Sequence, residues 1–464
     1  LHGSKQFSIL KKQKGRLIQH QLFHVTTSSH IKKASFLQLA FMIYGAVCAG
    51  AFGLEDMVST VGPGAALLTL VLMPFVFSVP ISFALGELTS TFPVEGGNYR
   101  WARMAFGDFL GFQAGWWAWM TGVVNCSLFA VLFTDYLKYW FPELGALQHW
   151  LVAVSLIWFL TYLNMRGIDV VGNTAILLSI TLLIPFAILL VIGIFNWQHN
   201  PFTPFVAPGK TVVGGIGSAM ALAIWLYSGY EKLSAATEEI ENPQRYFPPA
   251  LFLATTATML SYVLPTIAGL AAQGNWEKWA VPYFPTLATA MGGPWLGHAM
   301  NFGALCSNAL LLNVTMMSTS RMPFTMAEDR FLPRLLTRHH PRFGTPTQSI
   351  FWGSVTYTLL AFFDFAQLTI IYSWFLMASY ILLYINVWKM RRTHADTPRP
   401  FKMPFGNTGL VISILITCSL AALGIAGTVY EDGHFVLKQA LIGGLALLSG
   451  PLVYLIVIFL KKQS

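Results

Sequence analysis

The sequence predicts an all-helical protein that crosses a membrane about twelve times, and three observations carry that expectation. Apolar residues make up 55% of the 464 residues and only 10% are charged, whereas soluble globular chains carry about 25% charged residues. Apolar stretches near the ~20-residue length of a membrane-crossing helix recur along the whole chain. Two of these stretches, the first and the sixth, are interrupted by clusters of small and polar residues.

The spans lie at 36–59, 65–89, 108–136, 149–165, 172–195, 213–237, 248–272, 296–325, 347–363, 368–389, 409–429 and 439–460. The fourth and ninth are short and the third is long. The first, Leu37–Thr60, is broken by Cys48-Ala49-Gly50-Ala51-Phe52-Gly53. The sixth, Val213–Ala236, is broken by Tyr227-Ser228-Gly229-Tyr230-Glu231. Within a bilayer an unwound stretch survives only where it is buried in protein or lines a watery cavity. Spans 1–5 (36–195) and 6–10 (213–389) then form two five-helix halves, each opening with a discontinuous helix. An odd number of spans per half makes the second half enter from the opposite side, an inverted repeat. Spans 11 and 12 (409–460) fall outside it. The whole of 36–464 reads as one membrane domain behind a basic tail, 1–35.

Charge distribution decides between two partner classes. The net charge of +9 invites nucleic acid, but of 28 Lys and Arg only Lys138, Lys210, Lys278 and Lys438 fall on one side. The remainder is assigned to the side of the two termini, as the positive-inside rule requires of cytoplasmic segments. The tail holds Lys5, Lys11, Lys12, Lys14, Arg16, Lys32 and Lys33 with no acidic residue. It is read as a topology determinant that could touch anionic lipid head groups. It lacks the apolar core and small-residue cleavage site of a secretory signal peptide. A multi-pass protein of a plasma or inner membrane, with cytoplasmic termini and no nucleic-acid partner, is the expectation.

Several chemistries have no support. Cys48, Cys126, Cys306 and Cys418 lie inside apolar spans at no metal-ligand spacing and read as free thiols. No disulfide-linked partner subunit is expected. His339 and His340 lack a further ligand at zinc spacing. No phosphate loop, nucleophile elbow or zinc-protease helix occurs, so neither an enzyme nor a cofactor is predicted. Transport driven by a gradient remains, because paired helix interruptions point to a transporter's substrate site.

At the first break, Ala49, Gly50 and Ala51 let the backbone open and expose N–H groups suited to a carboxylate. At the second, Ser228 and Gly229 leave carbonyls suited to an ammonium or a cation. Both clusters also fit a plain helix-packing surface. Ionisable residues within spans are functional candidates, here Glu231, Glu55 and Glu87. Glu231 ranks first because it lies on the break. It could pair with a substrate amine, carry a coupling proton or brace the backbone. Glu55, beside Asp56, could instead be solvated near the outer interface. Trp225 and Tyr230 flank the second break and could stack on an amine. Trp119 belongs to an aromatic group with Trp116 and Trp117 in span 3.

At these motifs the chain resembles the amino acid–polyamine–organocation transporter superfamily. Cys48-Ala-Gly-Ala-Phe-Gly53 is similar to its Gly-Ser-Gly-Ile-Phe-Gly. Gly229-Tyr-Glu231 followed by Glu238-Glu-Ile-Glu-Asn-Pro243 resembles its Gly-Phe-Glu and later Glu-Glu and Asn-Pro. Ser320-Arg321, Met326-Ala-Glu-Asp-Arg-Phe-Leu-Pro333 and Thr345-Pro346 match a further run. Phe52-Gly-Leu-Glu-Asp56, Phe92-Pro-Val-Glu-Gly-Gly97 and Trp116 to Asn125 are closest to the polyamine–proton symporter branch, which carries Asp at the positions of Asn125 and Glu231. The resemblance implies a leucine-transporter-like fold, with substrate held between spans 1, 3, 6, 8 and 10, and alternating access. It adds Trp119 and Asn125 to the candidate site and implies an amino acid or polyamine substrate. The coupling ion, H⁺ or Na⁺, or a counter-substrate stays open. So do two other readings, a Na⁺-coupled neutral amino acid transporter and a nutrient sensor that binds without transport. Some proton-coupled members place a Lys in span 5, where this chain has Ser179 and no Lys or Arg.

Overall fold

The computed structural model describes residues 33–209, 220, 222–362, 365–431, 434, 435 and 437–463. The basic tail up to residue 32 and most of the start of span 6 lie outside the described residues. Span 1 begins where Ser35 caps it: its hydroxyl accepts from the Gln38 amide at 3.4 Å, and Gln38 Oε1 accepts from the Ser35 amide at 2.8 Å. The helix Phe36–Val47 stops there, and a second helix runs Glu55–Val61. Between them Ala49, Gly50 and Gly53 take φ of +49°, +101° and +89°. Such angles favour glycine, so Gly50 and Gly53 permit the break, and Ala49 takes one despite its Cβ.

Span 2 runs Pro63–Thr91 through a wide π turn at Pro74–Ser78, where proline cannot supply a helical N–H. A short helix, Asn98–Phe106, precedes span 3, Asp108–Leu137. Spans 4 and 5 are Ala146–Met165 and Ile168–Phe195, and span 7 is Pro243–Gln273. Span 8 is Pro294–Glu328, span 9 Thr347–Leu360 and span 10 Phe365–Thr393. Spans 11 and 12 are Gly406–Val429 and Leu437–Gln463.

Among the described residues nine helices are long and apolar enough to cross a membrane, against about twelve expected. The difference has local causes. Span 1 is split into two short pieces, span 9 is a 14-residue helix, and span 6 is only partly described. Span 6 also departs from expectation beyond its break. It resumes as a 3₁₀ helix, Lys232–Glu239, and not as an α-helix. Ser234 and Thr237 explain this, since each hydroxyl donates to the carbonyl three residues back, at 2.6 and 2.7 Å.

Span 8 lies at the centre of the bundle, where every residue from Gly303 to Ala327 is buried against spans 3 and 5 among others. Span 12 lies at the edge and turns Leu441, Leu445, Leu448, Leu452 and Leu455 outward. An apolar ridge of that length suits lipid and not water. The two broken spans are tied together at one end. The Ala34 amide donates to Glu239 O at 2.9 Å, and the Glu241 amide donates to Ala34 O at 3.0 Å.

Two charges counted with the loops on the sequence belong elsewhere. Lys232 and Arg321 are buried within the bundle. Their removal leaves the charge asymmetry of the loops in place.

Candidate substrate-binding site

The two interruptions pack against each other, and glycine makes the approach possible. Gly229 has a φ of +116°, and a Cβ there would come within 2.6 Å of Ala46 O. Ala46 lies at the end of the first half-helix, whose last carbonyls have no helical partner and carry the negative end of the helix dipole. A buried cation fills that position. Lys232 Nζ donates to Ala46 O at 3.0 Å and to Thr315 Oγ1 of span 8 at 3.3 Å. It also stands 5.7 Å from the ring centre of Phe129, a cation–π distance.

Lys232 borders two cavities. The first lies between the breaks, lined by Ala46, Val47, Cys48 and Phe52 of span 1 and by Asn125 and Phe129 of span 3. Trp225, Leu226, Ser228 and Lys232 of span 6 line it too, with Tyr262, Leu311 and Tyr372. Phe52 carries an aromatic cluster, with ring centres 4.9 Å from Phe186 and 5.5 Å from Tyr136. Ser228 Oγ and the Tyr372 hydroxyl share a hydrogen bond of 2.7 Å. Asn125 is buried, and its Oδ1 meets no donor among the described residues.

The second cavity lies on the side of the 92–107 connection. Glu231, Lys232, Ser234, Asn98, Thr121, Ser318, Ser379 and Tyr380 contribute its polar lining. Tyr380 bridges the second break: the Gly229 amide donates to its oxygen at 2.9 Å, and its O–H donates to Glu231 Oε2 at 2.6 Å. Beyond this cavity Arg321 grips Glu239 through two bonds of 2.7 and 3.0 Å, a fork geometry that joins span 8 to span 6.

The candidate residues are thus distributed unequally. Asn125, Trp225 and Ser228 face the first cavity and Glu231 the second, while Gly229 sets the contact between the breaks. Ala49, Gly50 and Ala51 shape the first break, yet their neighbours Cys48 and Phe52 form the lining. Tyr230 is buried but lines neither cavity. Trp119 packs edge-on against Trp116 at 5.5 Å and also lines neither.

The expected carboxylate cradle of free amides is altered by local bonding. The Gly50 amide donates to Cys48 Sγ at 3.3 Å, and the Gly53 amide donates to Glu55 Oε2 at 2.7 Å. Glu55 is therefore not solvated at an interface: it is fully buried and serves the first break from within. A carbonyl of the first break, Ala46 O, also receives an ammonium, that of Lys232. Glu87, also fully buried, is bound by Arg391 and Arg399 and by the Met403 amide at 2.9 Å, far from both breaks in sequence.

Sequence reasoning missed Lys232, Thr315, Tyr372 and Tyr380 as site residues. Lys232 carried a usable signal, because an ionisable residue inside an apolar span is a functional candidate. Tyr372 reads as one more span aromatic, and Thr315 and Tyr380 carried none.

The amino acid permease family profile matches residues 35–447. The chain belongs to the amino acid permease family. Its members are transporters and not enzymes, and this chain is a multi-pass membrane protein. Among curated proteins, a probable polyamine transporter of Arabidopsis thaliana is 33% identical over 85% of this chain and 80% of its own length. The polyamine transporter PUT1 of Oryza sativa subsp. japonica is 30% identical, covering 86% of this chain and 74% of its own. The branched-chain amino acid permease BcaP of Bacillus subtilis is 24% identical over 74% and 77%.

Proposed function

We propose that the protein is a secondary transporter that moves an amino acid or a polyamine by alternating access, using the first cavity as its substrate site. One observation carries this reading: two interrupted helices meet at Gly229 and Ala46 beside a cavity with an unpartnered buried amide oxygen at Asn125. Irregular backbone in a membrane is tolerated where it is buried or lines such a cavity. Relatives named for polyamine and for amino acid transport support the same substrate range.

In this reading 36–195 and 213–389 are the two inverted repeats, and 409–460 lies outside them. Coupling runs through a proton gradient or through exchange. The charge asymmetry of the loops supports cytoplasmic termini in a plasma or inner membrane. The test is uptake and counterflow in liposomes holding the purified protein, with labelled amino acids and polyamines, under imposed H⁺ or Na⁺ gradients. Saturable counterflow of either class is the expected result. Saturable binding with no counterflow under any gradient would sink the transport reading.

A further inference from the structure

The ligand class of the first cavity follows from its charges, and this inference rests on the reading of that cavity as the transport site. Among the described residues that line it, Lys232 alone carries an amine. An ammonium has three N–H donors. Two are spent on Ala46 O and Thr315 Oγ1, which leaves one for a ligand. Asn125, 2% exposed, offers an acceptor with no donor. A charged donor and a free neutral acceptor in one cavity complement a ligand that carries both a carboxylate and an ammonium.

A polyamine meets the opposite situation. It brings two or more positive charges beside the Lys232 amine, and among the described residues no carboxylate lines this cavity. Glu231 lies in the second cavity, where Tyr380 already donates to it. Buried charge without a counter-charge is costly in a low-dielectric interior.

We propose that Lys232 determines substrate class: its ammonium receives the ligand's carboxylate, so the site takes amino acids and rejects di- and triamines. The ligand ammonium lies toward Asn125, Ser228 and Tyr372.

The test uses the full chain, in thermal-shift and liposome counterflow assays. The probes are the common L-amino acids, the carboxamide of each one that binds, putrescine and spermidine. Wild type is expected to bind and exchange at least one amino acid and to ignore its amide and both polyamines. Lys232→Gln should weaken that amino acid on the order of 10- to 100-fold, whereas Lys232→Arg should keep the carboxylate requirement. Should Lys232→Gln fail to fold, Asn125→Asp still tests the idea, since an added carboxylate should admit putrescine. Three results would overturn the proposal: tighter binding of putrescine or spermidine than of any amino acid, equal binding of acid and amide, or an unchanged affinity in a folded Lys232→Gln. Counterflow of polyamines alone would overturn it while leaving the transport reading intact. Counterflow of neither class would overturn the transport reading itself.

Discussion

Lys232 Nζ lies 3.0 Å from Ala46 O, so the second broken helix supplies the cation that the first broken helix lacks. The consequence is mechanical as well as electrostatic. Any rocking that parts span 1 from span 6 must break this bond or carry both ends together.

Gly229 permits that contact. A side chain there is strained by the φ of +116° and would meet Ala46 O. Gly229→Ala is expected to lower stability by about 1–3 kcal/mol and Gly229→Val by more. Thermal melts of detergent-purified variants check the first effect, and counterflow in liposomes, expected to be lost, checks the second. A Val variant with wild-type melting and counterflow would show that the breaks do not touch.

Glu87 has a different fate from Glu231, although both are carboxylates in apolar spans. Its two guanidinium partners tie span 2 to the last turn of span 10, through Arg391, and to the chain that follows it, through Arg399. Glu87→Ala leaves both cations without their carboxylate, which costs about 3–5 kcal/mol for a buried pair. Expression and melting temperature should fall, while substrate affinity of the folded fraction stays at the wild-type value. A melting temperature unchanged by the substitution would contradict the structural role.

Glu95, in the connection after span 2, gives a pH dependence. Burial and the nearby carboxylates of Glu239, Glu238 and Glu328 hold its carboxyl well above the ordinary 4.5. Above pH 4.5 the unfolded chain releases this proton while the folded chain keeps it. The folded state then binds more protons, so stability falls as pH rises toward the raised value. Glu95→Gln is expected to remove that part of the slope and to be the more stable protein at neutral pH. Melting curves of both proteins from pH 5 upward measure it, and parallel curves would contradict it.

What the sequence made legible follows the physics of each signal. The breaks were readable because Gly50, Gly53 and Gly229 are tolerated poorly in continuous helices. The long spans were readable because apolar length is a composition signal. The short 3₁₀ continuation of span 6 was not, because it depends on Ser234 and Thr237 folding back onto their own backbone. The local bonding of the first break was hidden for a similar reason. Cys48 and Glu55 satisfy amides two residues away in sequence, and no spacing rule distinguishes that from an open cradle. Lys232 was visible but was weighed as loop charge, so its contact with Ala46, 186 positions away, came only from the fold.

Glu231 and Lys232 give the last prediction, because consecutive opposite charges share the second cavity. The two side chains form no direct ion pair, Lys232 being bonded to Ala46 and Thr315 and Glu231 to Tyr380, so removing one charge costs the other only a longer-range attraction. Glu231→Gln keeps an acceptor for the Tyr380 hydroxyl and isolates the charge from the hydrogen bond. Each single substitution is expected to lower the melting temperature. The double variant, with both charges gone, should be destabilised by less than the sum of the two. A coupling of about 1 kcal/mol or more is expected for groups in one network. Melting of the four proteins in one detergent measures it. The same set read in binding assays separates the roles: in Glu231→Gln the amino acid affinity should change far less than in Lys232→Gln, since only Lys232 faces the first cavity. Additive melting losses would mean that the two charges act independently, and an equal loss of affinity in both single variants would place Glu231 on the ligand.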